Sequence, residues 1–417
     1  MLATFAVYFY SNPRPQDFYD YTFRIAEAFL HGRLGLTEAP PSWLNEMVPF
    51  GGVYYSVFPL GSVLTVLPVA LLKRAHLIKS FPAGTLAALV ASAAALLTFL
   101  LSGRHGDSVS RRLLLAFSVV FGTWMWCNLA FAGAWQLALG FAVVGELGAI
   151  YFSLVRRRPV WAGFFFALAF GNRSEVVFTA PVFIYFLLRG AGVGDAVSVN
   201  KAGGSGESQG RRPGRPAQET RARTLAPSRG QLVTLSQFCL VPLALGLLTL
   251  AYNYARFSSA IDFGYARIPG VLQEPWYKHG IFSVRAIPLN AEKMIFEPWK
   301  RITQYPYLVP TGFGGSIFLS CPLLLLLFRR GARDKGAKAA AWLAIAGLTF
   351  ILWLHGNPGG WQYSYRYAMI LLPWMFLILL ENGSAKLSKS EAALSLASMA
   401  VNGYATYLFL WTDYVRP

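Results

Sequence analysis

Two aspartates, Asp17 and Asp20, stand three residues apart near the start of the chain. A carboxylate held beside a substrate can take the proton of an acceptor hydroxyl or amine as a general base. The same residues have a plainer use, since an Asp at a helix start caps backbone N–H groups and suits the helix dipole. Within Gln16–Gly32, Phe18, Tyr21 or Thr22, Ile25, Phe29 and Leu30 recur at helical spacing, with Asp17, Asp20, Arg24 and Glu27 on the other side. That pattern predicts an amphipathic helix lying in a membrane interface. Pro13 and Pro15 keep it from continuing the apolar run before it.

Cations that could hold an anionic group come later. The stretch 255–311 is dense in aromatic residues and carries Arg256, Arg267, Lys278, Lys300 and Arg301, and Arg366 opens a late apolar run. Arg suits bidentate phosphate contact. Each of these residues also reads as an interfacial anchor or a snorkelling charge. Asn172-Arg173-Ser174-Glu175 interrupts two apolar runs and reads as a turn or a functional charge, and Glu146 lies mid-run, lining a cavity or bonding a neighbouring helix. The five histidines (His31, His76, His105, His279, His355) lack metal-ligand spacing, and no metal site is expected from the residues. Cys127, Cys239 and Cys321 form neither a disulfide framework nor a zinc site. No phosphate-binding Gly-rich loop and no Asp-x-Asp pair is present, which weighs against ATP-driven transport and nucleotide-sugar chemistry.

The elements that must position these residues are apolar. Of 417 residues, 55% are hydrophobic and only 13% charged, and mean hydropathy is +0.44. A soluble protein carries roughly 25% charged residues, so an ordinary cytosolic enzyme is excluded. The net charge of +18 lies in short tracts between apolar runs, as in a multi-pass membrane protein, and nucleic acid is not an expected partner. The runs are 1–10, 57–72, 81–102, 112–131, 135–155, 159–171, 175–189, 232–254, 312–328, 339–354, 367–381 and 392–411. They predict an all-α polytopic membrane protein with ten to twelve transmembrane helices, some shorter than the usual ~20 residues. The first run is expected to be a span without its cytoplasmic half. The basic tracts Arg156-Arg157-Arg158, Arg329 to Lys338, Lys386 with Lys389, and the Gly-, Ser- and Pro-rich stretch 190–231 are expected on the cytoplasmic side.

The expected organisation is an N-terminal transmembrane module over 1–189, a disordered basic cytoplasmic loop over 190–231, and a C-terminal transmembrane module over 232–417. Two long loops, 11–56 and 255–311, are expected on the outer face. A conflict follows, because seven apolar runs separate the two loops, and an odd number puts them on opposite faces. The basic tracts at Lys73-Arg74 and Arg104 to Arg112 also flank one run although both read as cytoplasmic. One run must be re-entrant or fused, or one basic tract must lie outside.

Several motifs in order carry a family resemblance. They are Asp17-Phe-Tyr-Asp-Tyr21, Ala26 to Leu34, Tyr54-Tyr55 leading to Pro59-Leu60-Gly61, Tyr252-Asn253-Tyr-Ala-Arg256-Phe257, Gly315 to Pro322, and Gly359-Gly360 leading to Arg366-Tyr367 and Leu372-Pro373. Together the chain resembles bacterial membrane glycosyltransferases of the GT-C superfamily, the group of the dolichyl-phosphate-mannose protein mannosyltransferases and the lipid A aminoarabinose transferases. The resemblance departs at Leu60, where the family has a second Pro, and at Ser258, where it has Gly.

What the resemblance implies is an enzyme in the inner (plasma) membrane. It would move a sugar, with inversion, from a polyprenyl-phosphate donor to a lipid, glycan or protein acceptor at the outer face. Asp17 or Asp20 would be the base, and Arg256, Arg267, Lys300, Arg301, Arg366, Tyr54 and Tyr55 would form the donor site. Some members use a divalent metal and others do not. The rivals are a flippase for lipid-linked sugars and a surface-polysaccharide polymerase or ligase.

Overall fold

The computed structural model describes residues 1–189 and 228–415. The helices in chain order are α1 (Leu2–Ser11), α2 (Tyr21–Leu30), α3 (Leu60–Arg74), α4 (Ala83–Leu101), α5 (Val109–Phe121), α6 (Met125–Ala130), α7 (Ala134–Leu154), α8 (Pro159–Asn172) and α9 (180–189). After the undescribed segment come α10 (Arg229–Phe257), α11 (Ile287–Ala291), α12 (Ile317–Ser320), α13 (Lys335–Leu354), α14 (Leu372–Asn382) and α15 (Lys389–Leu410). The strands β1 (Met47–Phe50) and β2 (Val53–Ser56) form a hairpin in the first loop. Two short two-residue pairings, Lys300–Arg301 with Leu308–Val309 and Phe313–Gly314 with Gln362–Tyr363, accompany it.

The protein is an all-α membrane protein. Among the described residues, α4 with the turn after it, α7, α10, α13 and α15 are long and apolar enough to cross a bilayer. Other apolar runs are broken. The run 112–131 divides into α5 and α6 around Gly122-Thr123, and 312–328 divides into α12 and a 3-10 turn at Pro322, whose ring cannot continue a helix. The basic stretch expected as a loop over 190–231 falls mostly outside the described residues. Its last residues, from Arg229, are already helical, because Ser228 and Gln231 form a reciprocal capping box.

Packing relies on small residues, as bilayer-embedded helices do without a hydrophobic drive between them. A Cβ on Gly145 or Gly148 of α7 would lie 2.6 Å from Ala169 or 2.3 Å from Phe165 of α8. Glu146, fully buried on α7, accepts from the Trp374 indole of α14 at 2.7 Å, so it bonds a neighbouring helix.

The contacts resolve the conflict over the loops. At one end of the bundle, Asn12 donates to Ala130 O (2.9 Å), Trp411 to Ser11 O (2.7 Å) and Arg256 to Ser56 O (2.6 Å). Both long loops meet there. At the other end Arg104 bridges Asp334 (2.6 Å) and Glu381 (2.7 Å), while Arg189 also reaches Asp334 (2.7 Å). The helix α3 does not join the two ends. It starts beside Gly171 at the end of α8, and its own end returns to the first loop, where Arg74 donates to Leu30 O at 2.7 Å and Lys73 pairs with Glu27 at 2.7 Å. Lys73 also lies over Phe23, which packs on Phe81 just before α4. The run 57–72 is therefore a crosswise helix at the loop end. Fifteen residues rise only about 22 Å, short of a ~30 Å hydrocarbon core. Six runs then separate the loops, and the Lys73-Arg74 tract lies on the loop side.

Candidate active site

The first loop is clamped onto the turn between α6 and α7. The Gln16 amide donates to Phe131 O (3.0 Å), and the Ala134 amide donates to Tyr19 O (3.0 Å). Those bonds hold 16–20 out of helical geometry, so the helix expected from Gln16 starts at Tyr21 instead. Asp17 sits in the turn, exposed, with no hydrogen-bond or ionic partner among the described residues. It lines a cleft of about 500 Å³ with Tyr10, Pro15, Phe81, Thr85 and Trp411, between the ends of α1, α4 and α15. Asp20 occupies the N-cap position of α2, yet its side chain makes no capping bond. It pairs instead with Arg24 at 2.6 Å. Burial holds the Asp20 carboxyl above the ordinary range, and Arg24 offsets this only in part.

Deeper in the same end lies a second polar group. Glu46, just before β1, is half-buried. One carboxyl oxygen accepts from the indole N–H of Trp135 at the start of α7. Trp135 stacks on Phe58 with centroids 4.0 Å apart. Burial pushes the Glu46 carboxyl up to about 7; the Trp135 N–H and Arg366 oppose that shift, and Glu274 adds to it.

Arg366, only 7% exposed, donates through Nη1 to the Gln136 amide oxygen at 2.9 Å when that amide is turned to satisfy both its ends. Its Nε has no hydrogen-bond partner among the described residues. Tyr367 carries Arg366 at 5.4 Å and Arg173 at 5.2 Å from its ring centre, and Arg173 is paired with Glu175 at 2.9 Å. The wall is closed by Tyr265 and Tyr277, whose hydroxyls meet at 2.8 Å and whose phenols burial raises well above their ordinary range. They offer neutral hydrogen-bonding groups. His355, lowered by burial, packs against both tyrosines and bonds Asn357 O at 2.8 Å.

The other residues expected at a donor site fall into two places. Arg256 is buried, bonded to Ser56 O and to Asn253 Oδ1 (2.6 Å), and lies 3.9 Å over the Tyr252 ring. Arg267 pairs with Asp262 at 2.6 Å and covers Phe50 and Phe257. Tyr55 meets Phe257 edge-on at 5.5 Å, while Tyr54 bridges Leu36 across the first loop. Tyr55, Phe257, Tyr265 and Tyr277 belong to one apolar cluster, with Arg256 and Arg267 laid over Phe257, whereas Tyr54 packs against the main core. Lys300 and Arg301 stand apart, exposed on a short strand whose partner segment is bonded to Tyr404 of α15.

Glu46, Trp135, Tyr265 and Tyr367 do not emerge as site residues from the sequence. Tyr367 stands in a motif of the resemblance without being assigned to the site, while Glu46, Trp135 and Tyr265 carry no signal beyond residue type. Among the described residues, no three of His, Cys, Asp and Glu converge as metal ligands.

The structure thus defines an all-α membrane protein with an aromatic, partly charged site at the end where its two long loops meet. No family model matches the chain, and no curated protein is similar to it. Among solved structures the chain is similar to the apo oligosaccharyltransferase of Archaeoglobus fulgidus, at 14% identity and a TM-score of 0.38. The alignment takes in 98% of this chain and 55% of that one, so the chain spans about half the length of that protein.

Proposed function

We propose that the protein is a membrane glycosyltransferase of the GT-C type, moving a sugar from a polyprenyl-phosphate donor to an acceptor at the loop face. The observation that carries this reading is Asp17, a carboxylate free of partners in a cleft walled by aromatic residues at the ends of three helices. Asp20, bound to Arg24, is the less available base. The ordered motifs of the GT-C resemblance, Asp17 with Tyr21 first among them, point the same way.

In the proposed step Asp17 takes the proton of the acceptor hydroxyl or amine. The acceptor atom bonds the anomeric carbon from the opposite face while the bond from that carbon to the phosphate oxygen breaks. The electron pair leaves with the phosphate, whose low basicity requires no general acid. Arg366, Lys300 and Arg301 are the cations with unused donors or open surroundings for that phosphate. Arg256, Arg267, Tyr54 and Tyr55 support the wall behind it. The loop face is then the outer face of the inner (plasma) membrane, with the basic segment from 190 cytoplasmic, between transmembrane modules over 1–189 and 232–417. A divalent metal, used by some GT-C members, is decided by adding a chelator to the assay.

The test uses the full chain in detergent with radiolabelled polyprenyl-phosphate sugars and membrane-extract acceptors. Wild type is compared with Asp17→Asn and Asp20→Asn. Transfer lost in Asp17→Asn, with unfolding temperature unchanged, supports the base assignment. Transfer surviving both changes removes the mechanism, and lipid binding without transfer from any donor favours the flippase.

A further inference from the structure

We propose that α3 and the turn after it form a docking surface for anionic phospholipid, with Leu64, Leu71, Leu72 and Leu77 set into the leaflet at the loop end and Arg74 and Lys79 holding headgroup phosphates. This surface goes beyond the glycosyltransferase reading and does not depend on it.

Three observations carry it. The first is an apolar stripe on the open side of a helix that lies crosswise. Gly61, Val63, Val66 and Ala70 of α3 are buried against the protein. Leu64, Pro68, Leu71, Leu72 and Ala75 are exposed, and at 3.6 residues per turn they share one side of the helix. In water that stripe would be bare apolar surface, whereas the edge of a bilayer covers it.

The second is how the helix ends. The His76 amide donates to Lys73 O and the Leu77 amide to Leu72 O, both at 2.9 Å, and His76 is left-handed, with φ 58°. Those two bonds are a Schellman closure, which usually has glycine where His76 stands. In such a closure the residue at the place of Leu77 commonly packs back on the last helical turn. Leu77 instead stays 71% exposed, on an ordered turn, so its cover comes from outside the chain.

The third is charge. Residues 73–80 include Lys73, Arg74, His76 and Lys79 and no acid. Lys73 is taken by Glu27 at 2.7 Å. Arg74 gives Nη1 to Leu30 O at 2.7 Å, and both Arg74 and Lys79 are exposed, with no ion-pair partner among the described residues. Basic tracts that orient a membrane protein gather on one side. The tract Arg329 to Lys338 already lies at the opposite end, where Arg333 bonds Asp107 and Gly383 O. Orientation therefore does not account for these cations at the loop end, and anionic headgroups do. Free phosphate would use the cations and leave the leucines bare, and a neutral leaflet would use the leucines alone. Because Lys73 and Glu27 join α3 to α2, docking braces the first loop on the leaflet.

The experiment reads lipid contact, independent of sugar transfer. The full chain carries Cys239→Ala and Leu77→Cys, and since Cys127 and Cys321 are buried, a bimane label attaches at position 77. It is reconstituted in phosphatidylcholine with a minor share of phosphatidylglycerol, and one lipid or the other bears bromine on its acyl chains, which quenches the label on contact. Brominated phosphatidylglycerol is expected to reach half of full quenching at about one fifth of the concentration that brominated phosphatidylcholine requires, the ratio one cation near an anionic headgroup supplies. With Arg74→Gln and Lys79→Gln together, both lipids still quench and the two concentrations come within about twofold of each other. If that double variant melts early for want of the Arg74 bond to Leu30, Lys79→Glu carries the test, since the Lys79 side chain makes no bond among the described residues, and the ratio falls to the same range. A ratio that survives the substitutions, or a starting protein in which the two lipids quench alike, overturns the headgroup assignment. A label that neither lipid quenches overturns the docking surface altogether.

Discussion

Both ends of the bundle carry ion pairs, Asp20–Arg24, Glu27–Lys73, Glu175–Arg173 and Asp262–Arg267 at the loop end among them, but the loop end also leaves carboxylates without a cation. At the end away from the loops, cations and carboxylates are matched. Arg104 bridges Asp334 and Glu381, Arg111 is buried between Asp107 and Glu391, Arg333 reaches Asp107, and Arg189 reaches Asp334. These pairs tie the chain after α4 and the near ends of α5, α9, α13, α14 and α15 into one clasp. At the loop end, Asp17 has no partner, Glu46 is held by a neutral N–H, and Arg366 keeps an unbonded Nε. Matched charges hold elements together, while unmatched ones are costly to keep and mark where a ligand supplies the missing partner.

The contrast breaks most sharply at the free carboxylate. Asp17→Asn is expected to lower the rate of sugar transfer by about two to four orders of magnitude, the usual contribution of a general base. Its unfolding temperature stays unchanged, because the side chain bonds nothing. The radiochemical assay and a thermal melt on the same preparation check both halves. Asp20→Asn should move activity little and stability by at most about 1 kcal/mol, since its Arg24 pair is one turn apart and partly open.

The clasp gives the mirror image. Arg111→Ala leaves Glu391 without its cation and Asp107 with only Arg333. Breaking a buried pair from one side costs about 3–5 kcal/mol, so melting in detergent should show a large loss. Donor-lipid binding by the fraction that folds should be unaffected, as the clasp lies at the other end. A variant that melts normally would show that these pairs do not hold the bundle.

A smaller effect tests how the loop end is assembled. A Cβ on Gly61 would stand 2.4 Å from the Gly171 Cα, backbone against backbone. Gly61→Ala must push α3 off the end of α8, an overpacking cost of about 1–3 kcal/mol. Because α3 carries α2 and with it the first loop, transfer should fall along with stability, and comparing the two losses shows how far α3 sets the position of Asp17.

These features were unequally legible. Long uniform runs such as those of α4, α7, α10, α13 and α15 declare themselves, because one composition persists across a bilayer's thickness. The broken runs 112–131 and 312–328 do not, since Gly122-Thr123 and Cys321-Pro322 interrupt the helix without interrupting hydropathy. The crosswise course of α3 was visible only as a contradiction in the charge pattern. The Asp20–Arg24 pair follows from its spacing of four. Glu46 and Trp135 are 89 residues apart, and nothing local to either one announces the other. The loop end depends on such distant meetings, which is why its cations are foreseeable as types but not as neighbours.

The finest test is pH, where the two ends should respond with opposite sign. At the clasp, burial alone would raise the Asp334 carboxyl, but the Ala337 amide, Arg189 and Arg104 outweigh it and bring it down to about 2. A carboxyl lowered by folding stabilises the protein above its ordinary pKa near 4 and loses that contribution as pH falls toward 2. Glu46 is raised to about 7 by burial, with Trp135 on α7 and Arg366 before α14 opposing and Glu274 on the second loop adding; Tyr21 on α2 and Tyr265 on the second loop also face it. Its folded state holds the proton more tightly than the unfolded chain, so stability declines as pH rises from about 4.5 to about 7. Melting temperatures taken from pH 3 to pH 8 should therefore show an acid-side loss that Asp334→Asn removes and a neutral-side decline that Glu46→Gln removes. If Glu46→Gln leaves the neutral-side slope intact, Glu46 is already ionised at acid pH, paired more fully than the Trp135 bond alone provides, and the contrast between the two ends narrows to Asp17.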